Sequence, residues 1–203
     1  MTAKKGGQGP SRGKGNHAAP FLILAGVVGP MLFALVFILD GWWSPGYSPL
    51  SQSVSSLGTT GTSAWIQNTN FVVFGLLLIA FAIGFFQLMR EVLGKERVWV
   101  STLLFMLSGA GLVNDGFFTQ DAVTTPHGLL HTLGFLVIFA SLIVALLLVG
   151  GRLRTITAWR GLGWYSTITG LLTLGVLVLS AVLADPLQMT GLFQRILVVV
   201  AFG

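Results

Sequence analysis

The sequence predicts an all-α protein, a polytopic transmembrane helix bundle of six spans, the last one incomplete. Three observations carry this. Of 203 residues, 54% are hydrophobic and 8% charged, with mean hydropathy +0.86, too little charge to solvate the surface of a soluble domain. Apolar runs recur at about the 20-residue length that a helix needs to cross a bilayer. The Lys and Arg residues collect in alternate segments between those runs, as they do in a multi-pass topology.

Residues 1–19 are Gly-rich and basic without an apolar period, which predicts a disordered cytoplasmic tail ahead of a bundle formed by residues 20–203. Span one is expected over residues 21–39. Asp40-Gly41-Trp42-Trp43 follows it with no small-residue cleavage site, as in a retained signal anchor. Pro30 inside the span predicts a kink whose freed carbonyl is satisfied by neighbours. Spans two to five are expected over residues 65–88, 98–118, 127–149 and 164–184. A sixth begins near Leu187 and is interrupted by Gln194 and Arg195. The apolar residues 196–203 beyond them would cover only about 12 Å at 1.5 Å per residue, hence the incomplete last span.

Charge sets the expected orientation. Lys4, Lys5, Arg12 and Lys14 of the tail share one side with Arg90, Lys95 and Arg97 after span two and Arg152, Arg154 and Arg160 after span four. That side is expected to be the cytoplasmic face of a cell membrane, which leaves loops 40–64, 119–126 and 185–190 outside, without Lys or Arg. The basic balance does not indicate nucleic acid, because the cations interleave with no aromatic platform. No cysteine is present, so neither a disulfide nor a thiolate metal site can form.

Polar and small residues fall on helical stripes: Asn68, Gly75 and Ala82 on span two, Ser101, Ser108, Gly111 and Asp115 on span three. His127, His131, Gly134, Ser141 and Ala145 do so on span four, and Ser166, Thr169, Thr173 and Ser180 on span five. These stripes are expected to face each other, with close packing and hydrogen bonds across the interfaces. Span centres that offer only Ser, Thr and Gly argue against a transport path, which would need stronger polar groups at midplane.

The first outer loop carries a short-helix signal, with Ser48 as N-cap, Pro49 in the first turn and Gly58 as terminator. Leu50, Val54 and Leu57 would share one face of this interfacial helix, with Ser51 and Ser55 one turn apart beside it. The serines lack a nucleophile-elbow context, so capping or hydrogen bonding is their expected role. Trp42, Trp43 and Tyr47 suit the headgroup level.

The stretch Asn114-Asp115 through Asp121 to His127 and His131 gathers carboxylates and histidines at the outer membrane boundary. Thr125 can cap a helix begun by Pro126, which puts His127 and His131 at i and i+4 on one face. A helix N-terminus disfavours imidazolium, so both rings tend to the neutral, ligating form. With Asp115 or Asp40 they would make a three-ligand Zn site with one open position. The competing reading is a hydrogen-bonded structural pair. Arg195, the one cation on the outer side, is expected to pair with Asp115, or else with Asp40, unless it snorkels to the headgroups.

The order Leu39-Asp40-Gly41, Tyr47-Ser48-Pro49-Leu50-Ser51-Gln52-Ser53-Val54-Ser55-Ser56-Leu57-Gly58, Trp65, Asn68, Asp115 to Asp121 to His127, and Gly191-Leu192-Phe193-Gln194-Arg195 resembles the prokaryotic membrane-protein family catalogued as domain of unknown function 998. The resemblance implies six spans and no established activity. The His-x-x-x-His pair with an Asp and a Ser is also similar to ceramidase-like and adiponectin-receptor-like membrane hydrolases. Those have seven spans and a third histidine, whereas His17, the remaining histidine here, lies in the tail. Two functional classes follow: a binding protein whose outer cluster of Asp40, Ser51, Ser55, Asn68, Asp115, Asp121, His127, His131 and Arg195 is structural or receives a membrane lipid headgroup or partner, and a Zn-dependent lipid hydrolase.

Overall fold

The computed structural model of the protein describes residues 18–59 and 61–203. The basic tail, through residue 17, lies outside the described residues. Six helices follow in order: α1 Ala19–Trp43, α2 Ala64–Leu93, α3 Lys95–Phe117, α4 Pro126–Leu153, α5 Arg160–Leu183 and α6 Thr190–Phe202. There is no strand among the described residues, and α1 to α5 are long and apolar enough to cross a membrane. At 13 residues, α6 is about 20 Å long at 1.5 Å per residue, so the expected short sixth helix is there.

Local chemistry sets the boundaries. Thr125 caps α4 by accepting from the Gly128 N–H at 3.0 Å, and Pro126 opens the helix. Gly94, at φ 83°, is the single residue between α2 and α3 and turns the chain back through a left-handed conformation that residues with a Cβ avoid. α1 runs unbroken through Pro30.

Consecutive helices pack side by side, and α6 returns to the middle of the bundle. There the Phe202 ring meets Phe74 of α2 at 4.9 Å and Phe139 of α4 at 6.3 Å, with Leu197, Val198 and Ala201 buried. Close approach between neighbours depends on glycine. A Cβ on Gly109 of α3 would come within 2.7 Å of the Gly75 carbonyl oxygen of α2, and one on Gly75 within 2.5 Å of the Gly109 carbonyl oxygen. Main chain therefore touches main chain at that crossing, as small residues permit in membrane helices.

Most of the predicted stripe residues face inward, with Ser101, Ser108, Gly111, Asp115, Gly134, Ser141 and Thr173 buried, whereas His127 is exposed and Asn68, Thr169 and Ser180 are half-buried. Their hydrogen bonding differs from expectation. Thr102, Ser141, Ser166, Thr167, Thr173 and Ser180 donate to carbonyls one turn back on their own helix. A short hydroxyl reaches the i−4 carbonyl at no cost in helix separation, so these groups are satisfied internally. Amides, on longer side chains, make the bonds across: Asn70 to the Phe33 carbonyl oxygen at 3.0 Å and Asn114 to that of Leu130 at 2.8 Å.

The outer loop also departs from the predicted single helix. Residues 49–51 form a turn, and only Ser55–Gly58 closes into a 3₁₀ turn. The reason is competition for carbonyls. Those of Pro49, Leu50, Gln52 and Ser53, which a helix would need as acceptors, are held instead by Arg195, the Leu192 N–H and the Tyr47 hydroxyl. Val54 and Leu57 are buried as expected, whereas Leu50 is exposed.

All six tryptophans sit at helix ends, Trp42, Trp43 and Trp65 at one end of the bundle and Trp99, Trp159 and Trp164 at the other. That arrangement matches the two aromatic belts of a membrane protein. Arg90, Lys95, Arg97, Arg152, Arg154 and Arg160 lie at the second of these ends.

Replacing Gly109 with Leu should lower stability by about 1–3 kcal/mol through overpacking. Gly151→Ala and Gly175→Ala, where a Cβ would meet nothing within 4 Å, should not do so. Thermal unfolding in detergent checks this; equal midpoints for all three would contradict main-chain contact at the α2–α3 crossing.

Candidate functional site at the outer face

The polar groups at the tail-distal end of the bundle form two linked assemblies. The first is built on α6. Arg195 Nη1 donates to the carbonyl oxygens of Pro49 at 2.7 Å, Gly191 at 2.9 Å and Gln52 at 3.2 Å, and Nη2 donates to the Tyr47 hydroxyl at 2.6 Å. Its guanidinium also lies 5.6 Å from the Phe37 and Tyr47 ring centroids. Gln194 beside it accepts from the Val54 N–H at 2.5 Å and donates to Ser55 Oγ at 3.4 Å. Gly191 lets the two segments touch, since a Cβ there would overlap the carbonyl oxygens of Gln52 and Pro49. From α2, Asn68 donates to the Gly58 carbonyl oxygen at 3.1 Å and fixes the far end of the loop.

This corrects the expected pairing of Arg195 with Asp115 or Asp40. Among the described residues Arg195 has no carboxylate partner, and its donors are taken by four oxygens of the loop, Tyr47 and its own helix. A guanidinium carries five donors in a rigid fork, and a cluster of main-chain carbonyls meets them without bringing a second charge out of water.

The second assembly joins α3 and α4. Asp115 and His131 are both buried, with Asp115 Oδ1 3.8 Å from His131 Nδ1. His131 Nδ1 lies 2.8 Å from the Phe118 carbonyl oxygen. A carbonyl can only accept, so Nδ1 carries the proton. Asn114 donates to Asp115 Oδ1 at 3.3 Å, and a Cβ on Gly134 would overlap that carboxylate oxygen. Asp115, Ser55 and Gln194 meet at a cavity of about 20 Å³, which links the two assemblies and has room for one water.

The three-ligand Zn set does not assemble. His127 is exposed and rests edge-on against the Phe118 ring at 5.5 Å, while His131 is turned inward. Among the described residues no three of His, Asp, Glu or Cys converge, so the donor set falls short of a closed or catalytic zinc site. Asp121 has a local role, accepting from the Ala122 N–H at 2.7 Å and Thr125 Oγ1 at 3.0 Å. These bonds, the Ala122 N–H foremost, hold its carboxyl below the usual range. Ser51 lies exposed on the turn, apart from buried Ser55.

The remaining predicted residue, Asp40, is the most informative. It is 4% exposed at the last turn of α1, with the Ser63 hydroxyl beside its carboxyl. Its Oδ2 is buried without a partner. Asp40 lines a pocket of about 490 Å³ between the end of α1, the outer loop and the start of α2, together with Trp43, Ser44, Tyr47, Ser56, Thr62 and Ser63. Burial pushes the Tyr47 hydroxyl above its ordinary value against the opposing pull of Arg195, which keeps it a neutral donor to the Ser53 carbonyl oxygen at 2.9 Å. Tyr47, Ser63, Asn114 and Gln194 are residues of these assemblies and the pocket that the sequence left out of the cluster. Tyr47 and Gln194 lay within its resembling motifs, and Asn114 adjoined the singled-out Asp115.

Arg195→Ala should destabilise the protein by about 3 kcal/mol, since hydrogen bonds from a charged donor contribute about 1.5–3 kcal/mol each and the carbonyls are left unpaired. Arg195→Lys should recover part of this, and Arg195→Ala combined with Asp115→Ala should cost the sum of the single effects. Unfolding midpoints of the four variants decide the matter. A coupling beyond about 0.5 kcal/mol between positions 115 and 195 would restore the ion pair.

No curated protein and no solved structure matches the chain. One family model does, across residues 27–203, and it spans both segments that meet in the Arg195 clamp. With that match covering most of its length, the chain belongs to the family described as protein of unknown function (DUF998).

Proposed function

We propose that this multi-pass membrane protein resides in the cell membrane with its N-terminus in the cytoplasm and binds a membrane lipid headgroup in the outer pocket beside Asp40. The observation that carries the reading is the pocket itself. Its volume of about 490 Å³ is in the range of small-molecule sites, and its walls mix hydroxyls with the side chains of Trp43, Tyr47 and Leu57. It opens beside Trp42, Trp43 and Trp65, which are highly exposed and mark the depth at which headgroups lie. The loop above it is held in one shape by Arg195, Gln194 and Asn68, so the site is formed before a ligand arrives. The basic end of the bundle supports the orientation. Nothing in the arrangement of Asp115, His127 and His131 favours hydrolysis over binding.

A cysteine-free chain makes topology easy to test. Thr62→Cys should react with an impermeant thiol reagent on intact cells, and Lys95→Cys should react only after permeabilisation; the reverse pattern would overturn the orientation. For binding, Thr62→Trp fills the pocket from an exposed position and should reduce lipid retention in native mass spectrometry while leaving the unfolding midpoint in place. Undiminished retention would refute the site.

A further inference from the structure

We infer, resting on the headgroup reading above, that the occupant of the outer pocket presents an ammonium group to Asp40. The carboxylate is 4% exposed, and its Oδ2 has no hydrogen-bond partner. Among the described residues no Lys, Arg or His lies within ion-pair distance of it. A buried carboxylate left in that state is costly, and a cation that donates hydrogen bonds removes the cost.

The Ser63 hydroxyl beside the carboxyl is uncharged and does not neutralise it. Arg195 has its donors committed to the loop carbonyls and to the Tyr47 hydroxyl.

The pocket's other walls select among cations. Among the described residues Asp40 is the only charged side chain lining it. A bare divalent ion takes about six or more oxygen ligands with carboxylates among them, and Asp40 is the one carboxylate that the described lining supplies. A volume of about 490 Å³ exceeds an ion's needs and suits an organic group. An ammonium has three donors, and Asp40 with the lining hydroxyls of Ser44, Ser56 and Ser63 offers more than enough acceptors for them. Trp43 at the rim adds an aromatic face that attracts a cation. The lining contains no cation to take a phosphate, so the phosphate of a zwitterionic headgroup would stay at the mouth.

The test uses the full chain in nanodiscs of neutral carrier lipid doped with one probe. The probes are phosphatidylethanolamine, its N-acetylated derivative, which lacks the ammonium, and phosphatidylglycerol. Wild-type protein should retain phosphatidylethanolamine at least about tenfold over both other probes, the scale of one charge-assisted hydrogen bond. Asp40→Asn should erase the preference, and Thr62→Trp should lower retention of all three. The wild-type comparison needs no variant, so it decides even if Asp40→Asn fails to fold. Equal retention of the amine and its N-acetylated form, with Thr62→Trp still inhibitory, overturns the ammonium inference and leaves the headgroup pocket standing. A Thr62→Trp protein that binds like wild type removes the pocket reading itself. Free ethanolamine added in competition separates the sources: displacement assigns a soluble amine to the site, and its failure beside retained phosphatidylethanolamine assigns the lipid. Either result supports ammonium recognition.

Discussion

Arg195 holds the tail-distal end of the bundle together through oxygens rather than through an opposite charge. A guanidinium partly withdrawn from water must fill its donors, and here it does so with the carbonyls of Pro49, Gln52 and Gly191 and the Tyr47 hydroxyl. This one choice shapes the loop, because carbonyls pledged to Arg195 cannot serve a helix in residues 48–58. It also ties the loop to α6, which Gln194 reinforces through the Val54 N–H and Ser55. Two of the segments that carry the family resemblance, 47–58 and 191–195, are thus the two halves of a single contact.

Below that face the bundle solves a different problem, the placing of polar groups where no water is available. Hydroxyls turn back on their own helices, and amides on longer side chains span the gaps between helices. Glycines at the α2–α3 crossing bring main chains together, so much of the association rests on contact area rather than on side-chain bonding. The separation leaves Asp115 and His131 as the strongly polar exception between α3 and α4, joined to the loop through the small cavity at Ser55 and Gln194.

Most of the fold was legible in the sequence because apolar run length and charge position report directly on a bilayer. The spans expected over 65–88 and 98–118 became α2 Ala64–Leu93 and α3 Lys95–Phe117, with helix ends extended into the interface. The inward stripes were legible for the same reason of periodicity. What the sequence hid was partner choice. Arg195 near acidic helix ends reads as half of an ion pair, because carboxylates are visible in sequence as charges whereas main-chain carbonyls are the same at every position. The short-helix signal from Ser48 to Gly58 failed for a related reason: local propensity was overridden by donors arriving from residues over a hundred positions away. The His127 and His131 pair was read correctly as two residues on one helix. Which ring turned inward was set by the Phe118 carbonyl oxygen, a partner that spacing does not reveal.

The clamp has a consequence for the order in which the molecule is completed. Pro49 and Arg195 are separated by 146 residues, and α2 to α5 emerge and insert in the interval. Throughout that time the carbonyls of Pro49 and Gln52 lack the guanidinium that holds them in the finished fold. The contact that shapes this loop is therefore acquired late, when α6 arrives, and a chain stalled one helix short leaves the loop without its clamp.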